Sequence, residues 1–598
     1  MSPSVTVEVQ FGPALAALVD LKRPHARDLR LCIEAALQGL LEDLGIPGLL
    51  RVVFGKSDGD PFSLVVCGIA APYPSEMAQA VWDYLSGAPF GASGSGFSIQ
   101  QWSERSLPPE PDGWQRAVEF LSRLAVEIVK QRPERLLQIG QVPACLESDS
   151  AAPAVNPEEF LYIACQLLKL KLSIRNRGLI LRHIREGAAA ELGRDLVVEQ
   201  LVNELRPGRI TIAMHPDGLR RLLSLELQDG ESRAAIGAGF ESFLDMFGLM
   251  SEGLFYELGM RVPPVEFRAE QALSEDGFAV RLNHVSGIPR QGLGAGRMLV
   301  NDTPDRLRLV QIAGAPARNP ANGNACAIVV EADGPAAEKL GLTTWTPLGY
   351  IVLSLAAEIR RGAARLLCSG MAEAELARLR KAFPALVWAA MDVISPAALT
   401  RILRGLLWEE VSIRDLRTIL SRVAAYDTVA ADTSHRIVFD DRLAIDTRLQ
   451  SGSLREPDLY VEFVRQGMKN YLSHKHTRGT GNLLVYLLSP EVEEIVLQDV
   501  AARRGESGAQ RMTGEQAAEI LSAIAAEHLP ARLEPLVILT FAAIRGAFRK
   551  LIEDRFPELG VLAYEELAAD LKIQPIARIS LPEKAPISLP ASVAPSAG

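Results

Sequence analysis

Apolar positions along the chain fall into two rhythms. After Asn156-Pro157, Ile163, Leu167 and Leu168 recur at helical spacing, and after Ser395-Pro396 so do Ile402, Leu403, Leu406 and Leu407. In both places a capping side chain precedes proline at the first helical position, which predicts a helix start. Phe278–Val285 alternates and predicts a strand. Beyond Gly481, strands at Leu483–Leu488, Leu536–Thr540 and Val561–Tyr564 alternate with helices at about 490–503, 514–528 and 542–555. That alternation predicts a small ferredoxin-like βαβ subdomain at the C-terminus. The fold class is multi-domain α/β (α+β), with small α/β subdomains and helical-hairpin subdomains.

The pattern also repeats. Asn156–Leu181 aligns without a gap on Ser395–Leu420 at an offset of 239, with 9 of 26 positions identical. Average composition would give about one or two. Ser173-Ile174-Arg175 matches Ser412-Ile413-Arg414, where a second helix should begin, and Ser412 with Asp415 reads as a capping box. Gapped matches extend the repeat: Gly39-Leu40 and Leu44-Gly45 with Gly253-Leu254 and Leu258-Gly259, Asp195–Glu199 with Asp458–Glu462, and Ile210–Leu223 with Leu483–Leu497. The expectation is a tandem duplication, a shorter copy over roughly 28–235 and a fuller one over roughly 240–582.

Domain boundaries follow from composition. They are an N-terminal α/β subdomain at 1–86, a Gly/Ser/Pro-rich linker at 87–113, and a helical and short α/β part at 114–235. A helical subdomain at 366–450, the βαβ subdomain at 455–582 and a tail at 583–598 follow. Net charge is −10, which argues against nucleic acid as main partner. The six cysteines are scattered and form no CxxC pair, so reduced thiols are expected. The N-terminus has no signal-peptide pattern, and the apolar stretches Pro347–Ile359 and Leu533–Ile544 are shorter than a bilayer needs.

Candidate chemistry is thin. Gly292, Gly294 and Gly296 precede a strand-like segment and read as turn glycines. His474 and His476 lack a third metal ligand and read as a solvated loop. His215-Pro216-Asp217 reads as a helix entry after a strand. No nucleophile–base, metal or cofactor signature appears, so no enzyme activity is expected and no cofactor is named. Arg414 reads as the second residue of a helix, where a cation opposes the macrodipole. Two readings stay open for it: an ion pair with Glu409, Glu410 or Asp415, or an inter-subunit contact together with Asp415 and Arg417.

Several segments resemble the cytoplasmic region of the export-gate family of flagellar and type III secretion systems (FHIPEP, the FlhA/SctV type). They are Leu254–Arg268, Asp276–Asp302, Asn319–Val330, Leu403–Leu420, Tyr460–Met468 and Leu533–Leu567, in the family's order. LRGLLWEEVSIRDLRTIL, from Leu403, is the most specific. The aliphatic run at Ile328-Val329 departs from the family's tryptophan, and Asn319-Pro320-Ala321-Asn322-Gly323 leans towards the injectisome branch. No membrane domain of the family's kind precedes the region.

The resemblance implies a component of a type III secretion export apparatus. It would dock chaperones and substrates, form a homo-oligomeric ring, and lie in the cytoplasm with at most peripheral membrane contact. It implies two subdomains over 240–365 with an insert at about 301–335, and a docking cleft near Asn319, Asn322, Thr344 and Thr346. The alternative is a scaffold or regulatory paralogue outside secretion.

Overall fold

The computed structural model describes residues 4–18, 24–57, 60–92, 111–146, 155–205, 210–223, 238–433, 457–527 and 536–581. Most of the linker, the segment 434–456 and the tail 583–598 lie outside the described residues. The chain divides into two compact units, Met1–Gly467 and Met468–Gly598.

The larger unit holds two modules. In the first, β1 (Ser4–Phe11) alternates as an amphipathic strand should, with Val5, Val7, Val9 and Phe11 buried. Helices α1 (Pro13–Leu18) and α2 (Pro24–Leu44) lead to β2 (Leu49–Lys56), β3 (Phe62–Val66) and β4 (Ile69–Ala70). The sheet order is β2-β1-β3-β4, with β1 parallel to β2 and the other pairs antiparallel. Then come α3 (Ser75–Leu85), α4 (Pro111–Gln131), α5 (Val142–Leu146), α6 (Pro157–Lys169), α7 (Arg177–Ala189) and α8 (Arg194–Leu205).

The second module opens with β5 (Ile210–Met214), α9 (Pro216–Leu223) and α10 (Ala238–Leu258), then β6 (Val265–Ala269), β7 (Gly277–Leu282), β8 (Val285–Ser286) and β9 (Arg290–Gln291). Its sheet order is β6-β5-β7-β8, again with one parallel pair, β5–β6, beside antiparallel ones. The expected match of Ile210–Leu223 with Leu483–Leu497 therefore fails. β5 is the inner strand of a sheet formed with residues 265–286, and belongs to the second module instead of closing the first.

An inserted sheet of β10 (Arg297–Val300), β11 (Ala315–Arg318), β12 (Ala325–Val330) and β13 (Thr344–Trp345) is antiparallel, in order β11-β12-β10-β13. Two short helices, α11 (Pro304–Leu309) and α12 (Gly334–Lys339), complete it. The buried helix α13 (Pro347–Leu366) follows, then α14 (Ser369–Ala382), α15 (Pro384–Val393), α16 (Pro396–Trp408), α17 (Leu416–Thr433) and α18 (Pro457–Gly467). Val285 and Cys368 of the second module sit in the core cluster of the first, so the two share packing. Among the described residues no single helix is long and apolar enough to cross a membrane.

The unit Met468–Gly598 carries α19 (Lys469–Thr477), β14 (Asn482–Leu488), α20 (Pro490–Arg503), α21 (Gly514–Glu527), β15 (Val537–Thr540), α22 (Ala542–Ile552), β16 (Gly560–Ala563) and β17 (Lys572–Ile579). The expected strands and helices are present, but the ferredoxin-like arrangement is not. All strand pairs are parallel, in order β16-β15-β14-β17, whereas a ferredoxin-like sheet is antiparallel. β17 escapes a sequence reading because Pro575 interrupts its pattern. An edge position and a register shift accommodate that proline. His474 and His476 lie on α19 and not in a loop.

Candidate docking surfaces

The helical hairpin of the second module builds the first surface. Ser395 caps α16 by accepting the Ala398 N–H at 3.1 Å. After the helix, Glu410 turns left-handed at φ 55°, and Ser412 Oγ accepts the Arg414 N–H. Asp415, not Ser412, caps the next helix: its carboxylate accepts the Thr418 N–H at 3.0 Å. The expected capping box therefore moves, and Arg414 lies just before the Asp415 cap and not at the second position of α17. Its guanidinium stacks over Tyr256 at 5.4 Å and donates to the Tyr256 carbonyl at 3.3 Å. Arg417 covers Phe383, and Arg380 covers Trp388. Tyr256 and Trp388 stay 66% and 67% exposed, so this face offers the residue types that dominate protein interfaces.

The same local geometry occurs in the first module. Asn156 caps α6, Lys171 turns left-handed at φ 56°, Ser173 Oγ accepts the Arg175 N–H, and Asn176 caps α7. Ile174 N–H donates to Leu44 at 2.8 Å, as Ile413 N–H donates to Leu258 at 2.9 Å. Gly45 and Gly259, at φ 76° and 77°, let the arginine backbone approach: a Cβ there would sit 2.5 Å from Arg175 N or 2.0 Å from Arg414 N. At Gly45 and Arg175 lies an open hollow of about 570 Å³, lined also by Glu42, Ile46, Asn176, Arg177 and Gly178.

The four residues near which the resemblance implies a docking cleft lie at two places in the inserted sheet. Asn319 and Asn322 hold the turn between β11 and β12, accepting the N–H groups of Ala321 and Asn324. Asn319 is buried and Asn322 exposed. Thr344 lies on β13 and donates to Glu338 at 2.6 Å, while Thr346 caps α13 through Gly349. β11 and β13 are opposite edges of one sheet, so the two pairs do not converge. Strand order within an insert this short is not legible from spacing alone.

Beside β11 the structure places a residue from the first module. Arg318 N–H donates to the Phe90 carbonyl at 2.9 Å, and Phe90 N–H donates to the Tyr350 hydroxyl at 3.1 Å. Arg290 covers the Phe90 ring, and buried Asp83 accepts from Gly91 N–H and Gln79. The start of the expected 87–113 linker is thus packed against the insert.

Sequence reasoning missed a third surface, where the modules meet. Arg404 forms a bidentate pair with Glu199, and both are buried, at 6% and 1% exposure. Arg404 also donates twice to the Leu367 carbonyl. Arg401 pairs with Asp195, and Asn203 donates to Ser369 at 2.6 Å. At the β7–β8 turn, Asn283 donates to the Leu170 carbonyl, His284 N–H to Lys171, and Ser173 N–H to His284 Nδ1 at 2.8 Å. Burial lowers the Lys171 pKa to about 7, helped by Arg365 and opposed by Glu358 and Glu127. Burial also lowers the His284 pKa, in keeping with an imidazole that accepts at Nδ1. The available signal was Arg404, a cation beside the apolar stripe of α16.

Residues 220–572 match the FHIPEP family. The chain is 25% identical over 350 residues to a probable translocation protein of Sinorhizobium fredii, covering 57% of this chain and 45% of that protein. It is 24% identical over 475 residues to the hypersensitivity response secretion protein HrcV of Ralstonia nicotianae, covering 77% and 61%. It therefore spans about half the length of the curated relatives it matches. The solved CdsV protein of Chlamydia pneumoniae is similar at 26% identity and a TM-score of 0.50, over 62% of this chain and 98% of that one. CdsV in complex with CdsO matches equally well, at 26% identity and a TM-score of 0.50 over 62% and 97%. The family match covers more than half of the residues, and the chain belongs to the FHIPEP family.

Proposed function

We propose that this chain is a protein-docking component of a type III protein secretion export apparatus, one that receives chaperone–substrate complexes. The observation that carries the reading is the FHIPEP match across residues 220–572. The likeness to CdsV in its complex with CdsO supports a protein partner here as well. The chain works in the cytoplasm, and contact with a membrane is peripheral. Its chemistry is recognition.

Two docking positions compete within this reading. The first is Asn322, exposed on the β11–β12 turn. The second is the arginine–aromatic face of Arg414, Arg417 and Trp388. Purified full chain titrated with purified chaperone–substrate complexes decides between them. Asn322→Arg should weaken binding at least tenfold if the turn is the site, and Arg417→Glu should do so if the aromatic face is. Unchanged affinity in both folded variants removes both positions. Failure of the wild-type chain to bind any chaperone, substrate or export protein of its own cells removes the function itself.

A further inference from the structure

We infer that residues 4–205 and 210–467 are two copies of one unit, and that the first copy docks in cis on a face of the second that would otherwise receive another chain. Over four matched strands the sheets have the same order and the same mix of parallel and antiparallel pairs, and the second adds β9 beside β7. The left-handed residue, the serine turn and the glycine approach coincide at matched positions. This is independent of the docking function proposed above.

The contact between the copies is heterologous: it joins different faces of the two. The first copy contributes an acidic face, made of the 170–173 turn with Asp195, Glu199 and Asn203 on α8. The second contributes a basic face, made of Asn283, His284, Ser369, Arg401 and Arg404.

The matched positions show that the copies are not equivalent in what they can bind. In the second copy, Ser412, Asp458 and Glu462 take the places of Ser173, Asp195 and Glu199, so the acidic face persists in sequence. That copy also has the basic face. In the first copy, Tyr162 and Cys165 stand where the second has Arg401 and Arg404, and Cys67-Gly68 stands where the second has Asn283-His284. The first copy thus has an acidic face and has lost the basic one.

A unit with both faces adds to itself head to tail, whereas a unit with one face ends the series. Fusion holds the terminating copy at high effective concentration beside the second copy's basic face. The first module therefore acts as a built-in neighbour that keeps this face from other chains. Any assembly of whole chains uses other surfaces.

Light scattering on the full chain tests this. Asp195→Arg/Glu199→Arg should release the basic face, and the mass should at least double in a concentration-dependent way. Asp195→Lys alone is a milder release that leaves the buried pair intact. The fourfold swap Asp195→Arg/Glu199→Arg/Arg401→Asp/Arg404→Glu should return the wild-type mass. Adding Glu462→Arg to a released variant should do the same, because the incoming acidic face is then reversed. Released variants that are folded by near-UV circular dichroism yet keep the wild-type mass overturn the inference. So does added mass that Glu462→Arg leaves unchanged.

Discussion

The turn after α6 and the turn after α16 have the same backbone and opposite surroundings. Each has a left-handed residue two positions before a serine that accepts the N–H two residues on. In the first module that left-handed residue, Lys171, is held against the second module, its carbonyl accepting from His284 and its ammonium sensing Glu358 and Glu127. In the second module it is Glu410, which is exposed. Backbone geometry is set locally, by the serine, the cap and the facing glycine. What the turn touches is set by the rest of the module, so one local design serves as an internal seam in one place and as surface in the other.

Breaking the seam should produce the largest effect. Glu199→Ala leaves buried Arg404 with only the Leu367 carbonyl, and should cost about 3–5 kcal/mol in denaturant unfolding. A loss below ~1 kcal/mol would mean that the Arg404–Glu199 pair contributes little to holding the two modules together. Next come the paired glycines. Gly45→Ala and Gly259→Ala each force a Cβ against an arginine backbone at positive φ, and each should cost about 1–3 kcal/mol. Calorimetry showing one tolerated and the other not would dissolve the equivalence of the two turns.

The hairpin, its N-caps and the repeat of Ser173-Ile174-Arg175 at Ser412-Ile413-Arg414 are legible because they are local: a cap and the N–H it accepts lie within three residues. Pattern alone puts the cap at Ser412, three residues before Asp415, because serine and aspartate both satisfy it and only geometry separates them. The sheet membership of β5, the parallel order of the C-terminal strands and the Arg404–Glu199 pair were not legible. Each depends on partners tens to hundreds of residues away. Of the candidate site residues, Asn319 and Asn322 fell together because they share one turn. Thr344 and Thr346 did not join them because strand order intervened.

A smaller effect should follow pH. The unfolded chain keeps the Lys171 proton up to its ordinary value of 10.5, whereas the folded chain releases it near 7. The unfolded state therefore binds more protons between these values, and stability should rise with pH across that window. Lys171→Met should remove the rise and add on the order of 1–2 kcal/mol at pH 6. A pH profile unaltered by the substitution would show the ammonium is solvated. The smallest effect belongs to the second turn: Arg414→Ala removes an exposed cation over Tyr256 and should change stability by less than about 1 kcal/mol.

The core that includes Val285 and Cys368 has a consequence during synthesis. Translation proceeds at ~5–20 residues per second, so Leu205 is complete on the order of ten seconds before Cys368 is made. Through that interval the nascent first module has its own sheet and helices but lacks the apolar groups that finish its interior. The ribosome-bound chain passes through an unavoidable sticky stage, and slowing elongation between 210 and 368 would lengthen it.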